Sequence, residues 1–152
     1  MLRAFTVMAL LGLVSSRADA RLWETIAQTE ARYGKPLAKF PGEQRGEEER
    51  KYRYKDFYIL VTFLNGRSDD EKYFRTDAKA AFSDRDIQFF LKMTSDGKAW
   101  QKSETLPIWT LGGSTVESWK AIAAYYPKAG HTNIPGFGIS TMTRAKKEMR
   151  VP

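Results

Sequence analysis

Residues 57–64 alternate with a period of two. Phe57, Ile59, Val61 and Phe63 fall on one side, and Tyr58, Leu60 and Thr62 on the other, the pattern of a strand with a buried face. Asn65-Gly66 follows, a pair that supplies both positive-φ positions of a type I′ hairpin turn. The return strand, 67–74, carries Asp69, Asp70, Glu71 and Lys72. That much charge predicts a sheet edge or a solvated face.

Two stretches switch to helical spacing. In 22–33, Trp23, Ile26, Ala27 and Glu30 recur at threes and fours, with Leu22 and Tyr33 widening the apolar side. Gly34 ends that helix and Pro36 prevents its resumption. Ser83 and Asp86 form a capping-box variant. Ile87, Phe90, Leu91 and Thr94 then line one side of a second helix, closed by Asp96-Gly97. Between the first helix and the hairpin, 40–51 is polar, with Pro41, Gly42, Gly46 and Glu47-Glu48-Glu49, and reads as a mobile surface loop.

Beyond the second helix, 106–111 is a short strand with Pro107 near its start, and Gly112-Gly113 turns the chain. Residues 118–126 form another strand, with Trp119, Ala121, Ala123 and Tyr125 on one side. A loop over 127–136 leads to a last strand, 137–143, and then to a frayed basic tail, about 144–152. Each half runs helix, Gly-Lys stop, aromatic-rich strands; Gly34-Lys35 and Gly97-Lys98 are 63 residues apart. This is a weak topological repeat. The order helix, hairpin, helix, strands predicts an α+β two-layer sandwich, with two helices on one face of an antiparallel sheet.

The run Tyr33-Gly34-Lys35-Pro36, then Tyr52-Arg53-Tyr54, then Ile59 to Gly66 through Asn65 resembles a half-motif of outer-membrane assembly lipoproteins and β-lactamase-inhibitor-like domains. Their helix ends in Gly-x-Pro before an aromatic strand and a turn. The chain is also similar to uncharacterised exported bacterial proteins with a late tryptophan-containing strand pair. The first likeness covers about residues 22–75 and implies fold and location. It carries over no functional residues, and the absence of cysteine departs from the lipoprotein pattern.

The apolar run at the N-terminus supplies an address. Met1-Leu2-Arg3 is basic, 4–14 is uncharged and apolar, and Ala18-Asp19-Ala20 follows, the order of a secretory signal peptide over 1–20. Eleven residues are too few to span a bilayer as a helix, and no second such run follows. Residues 21–152 then form one domain, expected in the periplasm or outside the cell. The chain carries 25 basic and 18 acidic side chains; loss of Arg3, Arg17 and Asp19 with the leader leaves a net +6. With no cysteine, disulfides, thiol nucleophiles and Cys-based metal sites are excluded. Neither Asn65 nor Asn133 opens a glycosylation sequon, which fits bacterial export.

Little catalytic inventory remains. His131 is the single histidine and reads as an exposed loop side chain. Gly112-Gly113-Ser114-Thr115 lacks the closing glycine of a nucleophile elbow, and Gly136-Phe137-Gly138 precedes a strand where a phosphate loop would precede a helix. Asp69 and Glu71 share one strand face and Asp70 takes the other. No ligand spacing accompanies them, so neither a metal nor a cofactor is expected. The aromatic strands are the remaining candidates. Trp100 and Trp109 read as core. Counting alternation puts Tyr54 and Tyr58 opposite Phe57, and Tyr126 opposite Tyr125. Arg53, Tyr54, Tyr58, Lys120 and Tyr126 therefore predict a platform on an open sheet face for an envelope or secreted protein, a peptide or a glycan. Nucleic acid does not fit an exported chain. The leading expectation is a non-enzymatic binding domain. The alternatives are a small envelope hydrolase using carboxylates or His131, and an inhibitor or accessory subunit of a secreted enzyme.

Overall fold

Helix α1 (Ile26–Tyr33) starts at a complete capping box, in which Thr25 and Gln28 bond each other's backbone N–H. It ends at Gly34, whose φ is +83° and whose N–H reaches Glu30 O at 2.8 Å. The helix is shorter than its periodicity predicts, because the cap at Thr25 leaves Leu22 and Trp23 in a turn. In this computed structural model, residues 22–95, 97–113, 115, 119–129 and 134–148 are described. The leader-like residues 1–20, His131, Ser114 and the end of the basic tail lie outside them.

Eight strands follow: β1 (Ala38–Pro41), β2 (Glu47–Tyr54), β3 (Phe57–Leu64), β4 (Arg67–Arg75), β5 (Gln101–Lys102), β6 (Ile108–Gly112), β7 (Trp119–Ala129) and β8 (Ile134–Thr141). They form one antiparallel sheet in the order β1-β2-β3-β4-β8-β7-β6-β5. The fold is α+β. Chain order rises to β4 and then falls from β8, so the two four-strand halves meet across the antiparallel β4–β8 pair. The 63-residue repeat read from the dipeptides corresponds to this mirrored layout. Asn65 (φ +51°) and Gly66 (φ +75°) make the expected turn between β3 and β4.

Helix α2 (Asp84–Thr94) begins at the Ser83–Asp86 box and buries Ile87, Phe90, Leu91 and Thr94, the stripe read from sequence. Phe90 meets Phe57, Tyr73 and Phe137 at ring-centroid distances of 4.9, 4.0 and 6.4 Å. Tyr33 of α1 meets Tyr52 and Tyr54 at 5.8 and 5.7 Å. By register Tyr54, Tyr52, Phe57, Tyr73 and Phe137 all lie on one side of the sheet. The core sits there, with Ile59, Val61, Phe63, Ala123 and Ile139 almost fully buried.

Four expectations change. Residues 40–51 are not a mobile loop. They hold the second half of β1 and most of β2, because Arg50 pairs with Glu30 and Glu48 at 2.6 and 2.9 Å and Glu47 pairs with Arg144. Strand β4 is not an edge. It lies mid-sheet, with Asp69, Asp70 and Glu71 no more than 7% exposed. Pro127 falls inside β7, at a register irregularity between Tyr126 and Ala129 where a missing N–H is tolerated. The tail from 144 is not frayed through 148. It is a third helix, α3 (Met142–Glu148), with Met142, Ala145 and Arg144 buried. Arg144 bonds Glu47, and its N–H donates to Thr141 Oγ1 at 3.1 Å.

Candidate binding face

Register sorts the aromatic residues better than counting does. The turn Lys55-Asp56 reverses the chain, so Tyr54 stands directly across from Phe57 and shares its side. Tyr54 therefore does not belong to the outward platform. It packs against Tyr33 and stacks on Phe89 at 6.3 Å. Arg53 pairs with Tyr58, Tyr58 with Phe74, Phe74 with Gly136, and Gly136 with Tyr126. This is a transverse row on the side away from α1 and α2; it sets Arg53 beside Tyr58 and puts Tyr126 at its far end, four strand spacings or roughly 19 Å from Arg53 at ~4.8 Å per strand. Lys120 has the same parity but lies six residues from Tyr126 along β7, roughly 20 Å away at ~3.3 Å per residue.

Part of this side is closed. Toward the α3 end, Thr62 and Asp70 are only 1% exposed and Glu47 is held by Arg144 of α3. The open part of this side is therefore at the other end, around Tyr58. There a groove of about 550 Å³ opens between Phe40, Tyr58, Leu60, Phe74 and Ile134, with Lys51 on its wall. Phe40 is 45% exposed and Tyr126 51% exposed. The Lys51 ammonium sits 4.1 Å from the Tyr58 ring centroid, in cation–π range. The Tyr126 ring leans over β8, where a Cβ on Gly138 would come within 3.6 Å of it. Sequence reasoning missed Phe40, Leu60, Phe74 and Ile134. Phe40 was hidden by the polar run around it, and Leu60 and Phe74 looked like ordinary strand residues.

The carboxylates of β4 are engaged internally. Glu71 accepts from Tyr33 OH at 3.0 Å, Tyr73 OH at 2.5 Å and Arg32 at 3.1 Å, and Arg32 also reaches Glu24 at 2.6 Å. Burial, reinforced by the Glu71 charge, pushes both Tyr33 and Tyr73 hydroxyls well above 10, although Arg32 pulls the other way. Arg32 loses hydration by burial, yet Glu71, the tyrosines and Glu24 hold it more firmly protonated than a free guanidinium. Asp69 accepts from Thr141 at 2.5 Å and Asp70 from Ser140. Among the described residues, no three His, Asp or Glu side chains converge as a metal site. Trp109 is buried, as expected, and Trp100 packs at the core margin with its indole N–H on Leu91 O at 2.8 Å. No helix among the described residues is long and apolar enough to cross a membrane.

No family model matches this chain, and no curated protein does either. Among solved structures it is similar to an extracellular protein containing an SCP domain from Bacillus anthracis strain Ames: 11% identity, TM-score 0.48, covering 94% of this chain and 53% of that one. It is also similar to a cysteine-rich secretory protein from Staphylococcus aureus Mu50: 11% identity, TM-score 0.45, covering 84% of this chain and 45% of that one. The chain thus spans about half the length of the structures it matches. Similarity at this level assigns neither a family nor an activity.

Proposed function

We propose that this chain is an exported, non-enzymatic α+β domain that binds a partner protein on the uncovered end of its sheet. In this reading α1 and α2 form one layer and the sheet the other, with α3 closing one end of the far side. The helix–Gly-x-Pro–strand–Asn-Gly layout of residues 22–75 resembles that of inhibitor-like and assembly-lipoprotein domains. Export is supported by the order of charge, apolar run and small residues in 1–20.

One observation carries the binding role: the aromatic groove beside Tyr58, on the side of the sheet that α1 and α2 leave open. Aromatic rings held on strands give large contact area at low entropic cost. The carboxylates that a hydrolase would use are already bonded to Thr141, Ser140, Tyr33, Tyr73 and Arg32 inside the fold.

Cell-based photo-cross-linking tests this. A photoreactive residue at position 58 or 126 is expected to give the same adduct, and one at position 85, exposed on α2, is expected to give none. Identical adducts from all three positions, or none from 58 and 126, would overturn the reading.

A further inference from the structure

The groove is apolar, and the charged side chains that line it, Lys51 and Arg75, are both cations, while Glu49 on the same face of β2 accepts from Thr62. Lys51 and Arg53 lie two residues apart on β2 and so project from the same face, about 7 Å apart at ~3.3 Å per residue. Lys51 pairs across the sheet with Leu60 and Arg53 with Tyr58, which sets both cations along the groove's β2 side. Among the described residues, neither makes an ion pair. Arg75, the other cation lining the groove, is held by Asp86. Among the described residues the lining contains no carboxylate and no side-chain amide.

These features select among occupants. A glycan is recognised by several polar groups aimed at its hydroxyls, and the described lining offers the Tyr58 and Thr76 hydroxyls and the cations of Lys51 and Arg75, with no carboxylate or amide to bind them in pairs. A single-stranded nucleic acid stacks successive bases on successive open rings, and with the Lys51 ammonium already over Tyr58 the groove does not offer such a series. An apolar side chain with a carboxylate beside it satisfies both the walls and the rim.

We propose that the groove is an anchor subsite for an acidic, aromatic-bearing extended segment of a partner protein. The ring enters between Phe40, Tyr58, Phe74 and Ile134, and a neighbouring carboxylate meets Lys51 and Arg53. The segment continues along the row toward Tyr126, where Gly136 presents no side chain between Phe74 and Tyr126. This rests on the binding-face reading above and adds the chemistry of the partner.

Fluorescence polarisation with labelled Gly-Ser peptides carrying Glu-Phe-Glu, Glu-Ala-Glu or Lys-Phe-Lys at the centre tests it on residues 21–152. Glu-Phe-Glu is expected to bind saturably, and the other two at least about tenfold more weakly. Lys51→Glu with Arg53→Glu is expected to weaken Glu-Phe-Glu about tenfold or more at an unchanged melting temperature. Phe40→Ser, at the sheet edge, is the second variant and is expected to remove the preference for Phe over Ala. Equal binding of the three peptides, or saturable binding of laurate with none of Glu-Phe-Glu, would overturn the proposal. If the peptides fail while adducts at positions 58 and 126 persist, the anchor chemistry falls and the binding face stands. If the adducts are lost as well, both fall.

Discussion

The two halves of the sheet share a plan but hold their helices down by different means. In the first half, α1 is fixed through a buried polar cluster: Arg32 and Tyr33 on the helix, Glu71 and Tyr73 on β4, and Glu24 just before the cap. In the second half, α2 is fixed by rings, with Phe90 touching Phe57, Phe82, Tyr73 and Phe137. Eight residues suffice for α1, whereas α2 has eleven. A short helix buries little apolar surface, so directional bonds set its position. A longer one with an apolar stripe is held by area. The outward side differs as well. The first half presents the aromatic groove and the Lys51 and Arg53 cations of β2, which make no ion pair among the described residues, while β5 and β6 are only two and five residues long.

The sharpest way to break this comparison is to remove one member of each anchor. Phe90→Ala is expected to cost about 3–5 kcal/mol, since the ring is fully buried and its neighbours cannot all collapse into the space. Glu71→Ala is expected to cost about 3 kcal/mol or somewhat more, because it leaves Arg32 buried without its main counter-charge. Urea unfolding midpoints measure both. The rescue separates them: Arg32→Met and Glu71→Leu combined with Tyr33→Phe and Tyr73→Phe, so that neither hydroxyl is left buried without its acceptor, is expected to recover most of the loss, as buried ion pairs replaced by packed apolar residues often do. Failure of that combined variant to recover stability would mean that the polar cluster adds net stability, beyond positioning α1.

Legibility followed the same division. The α2 stripe and the Asn65-Gly66 turn were readable because local chemistry and tertiary environment agree there. The β4 charges were misread because Asp69, Asp70 and Glu71 are satisfied by Thr141, Ser140, Tyr33 and Arg32, residues 38 to 72 positions away in sequence. No local pattern announces such partners. Strand β2 was hidden for the same reason, Glu47 being paired with Arg144 of α3 and Arg50 with Glu30 of α1. Tyr54 was misplaced by a parity count carried straight through a reversing turn. In the candidate site, Arg53, Tyr58 and Tyr126 were within reach of alternation, whereas Phe40 and Ile134 join the groove only through strand order.

Alkaline titration sharpens the contrast with a smaller effect. Burial and Glu71 raise the Tyr33 and Tyr73 hydroxyls well above 10.0, and burial raises Tyr52 to about 12. Unfolded tyrosines ionise near 10.0. A raised folded value means that these groups contribute fully below pH 10, and that the contribution is lost as pH rises from there through each folded value. For Tyr52 the loss falls between pH 10 and about 12. Stability is therefore expected to decline above pH 10. Tyr33→Phe should flatten that decline, and Phe82→Leu on the α2 side should leave its slope unchanged. Chemical denaturation across pH 8–12 reads the difference, and equal slopes in the two variants would remove the distinction between the anchors.

The smallest expected effect lies at the caps. Both helices open with a capping box, Thr25 with Gln28 and Ser83 with Asp86, and deleting such a hydroxyl typically costs about 1 kcal/mol. The boxes are not equivalent. Gln28 bonds only within its own turn, whereas Asp86 also holds Arg75 of β4 and has its carboxyl below 3.8: burial opposes ionisation, but bonds from Ser83 and Arg75 outweigh it. Ser83→Ala should therefore cost more than Thr25→Ala. Because a lowered carboxyl contributes only while ionised, the excess should fade as pH falls below about 3.8. Equal costs at neutral pH would mean that Arg75 holds Asp86 in place without its cap, so that the cap adds nothing to the docking of α2.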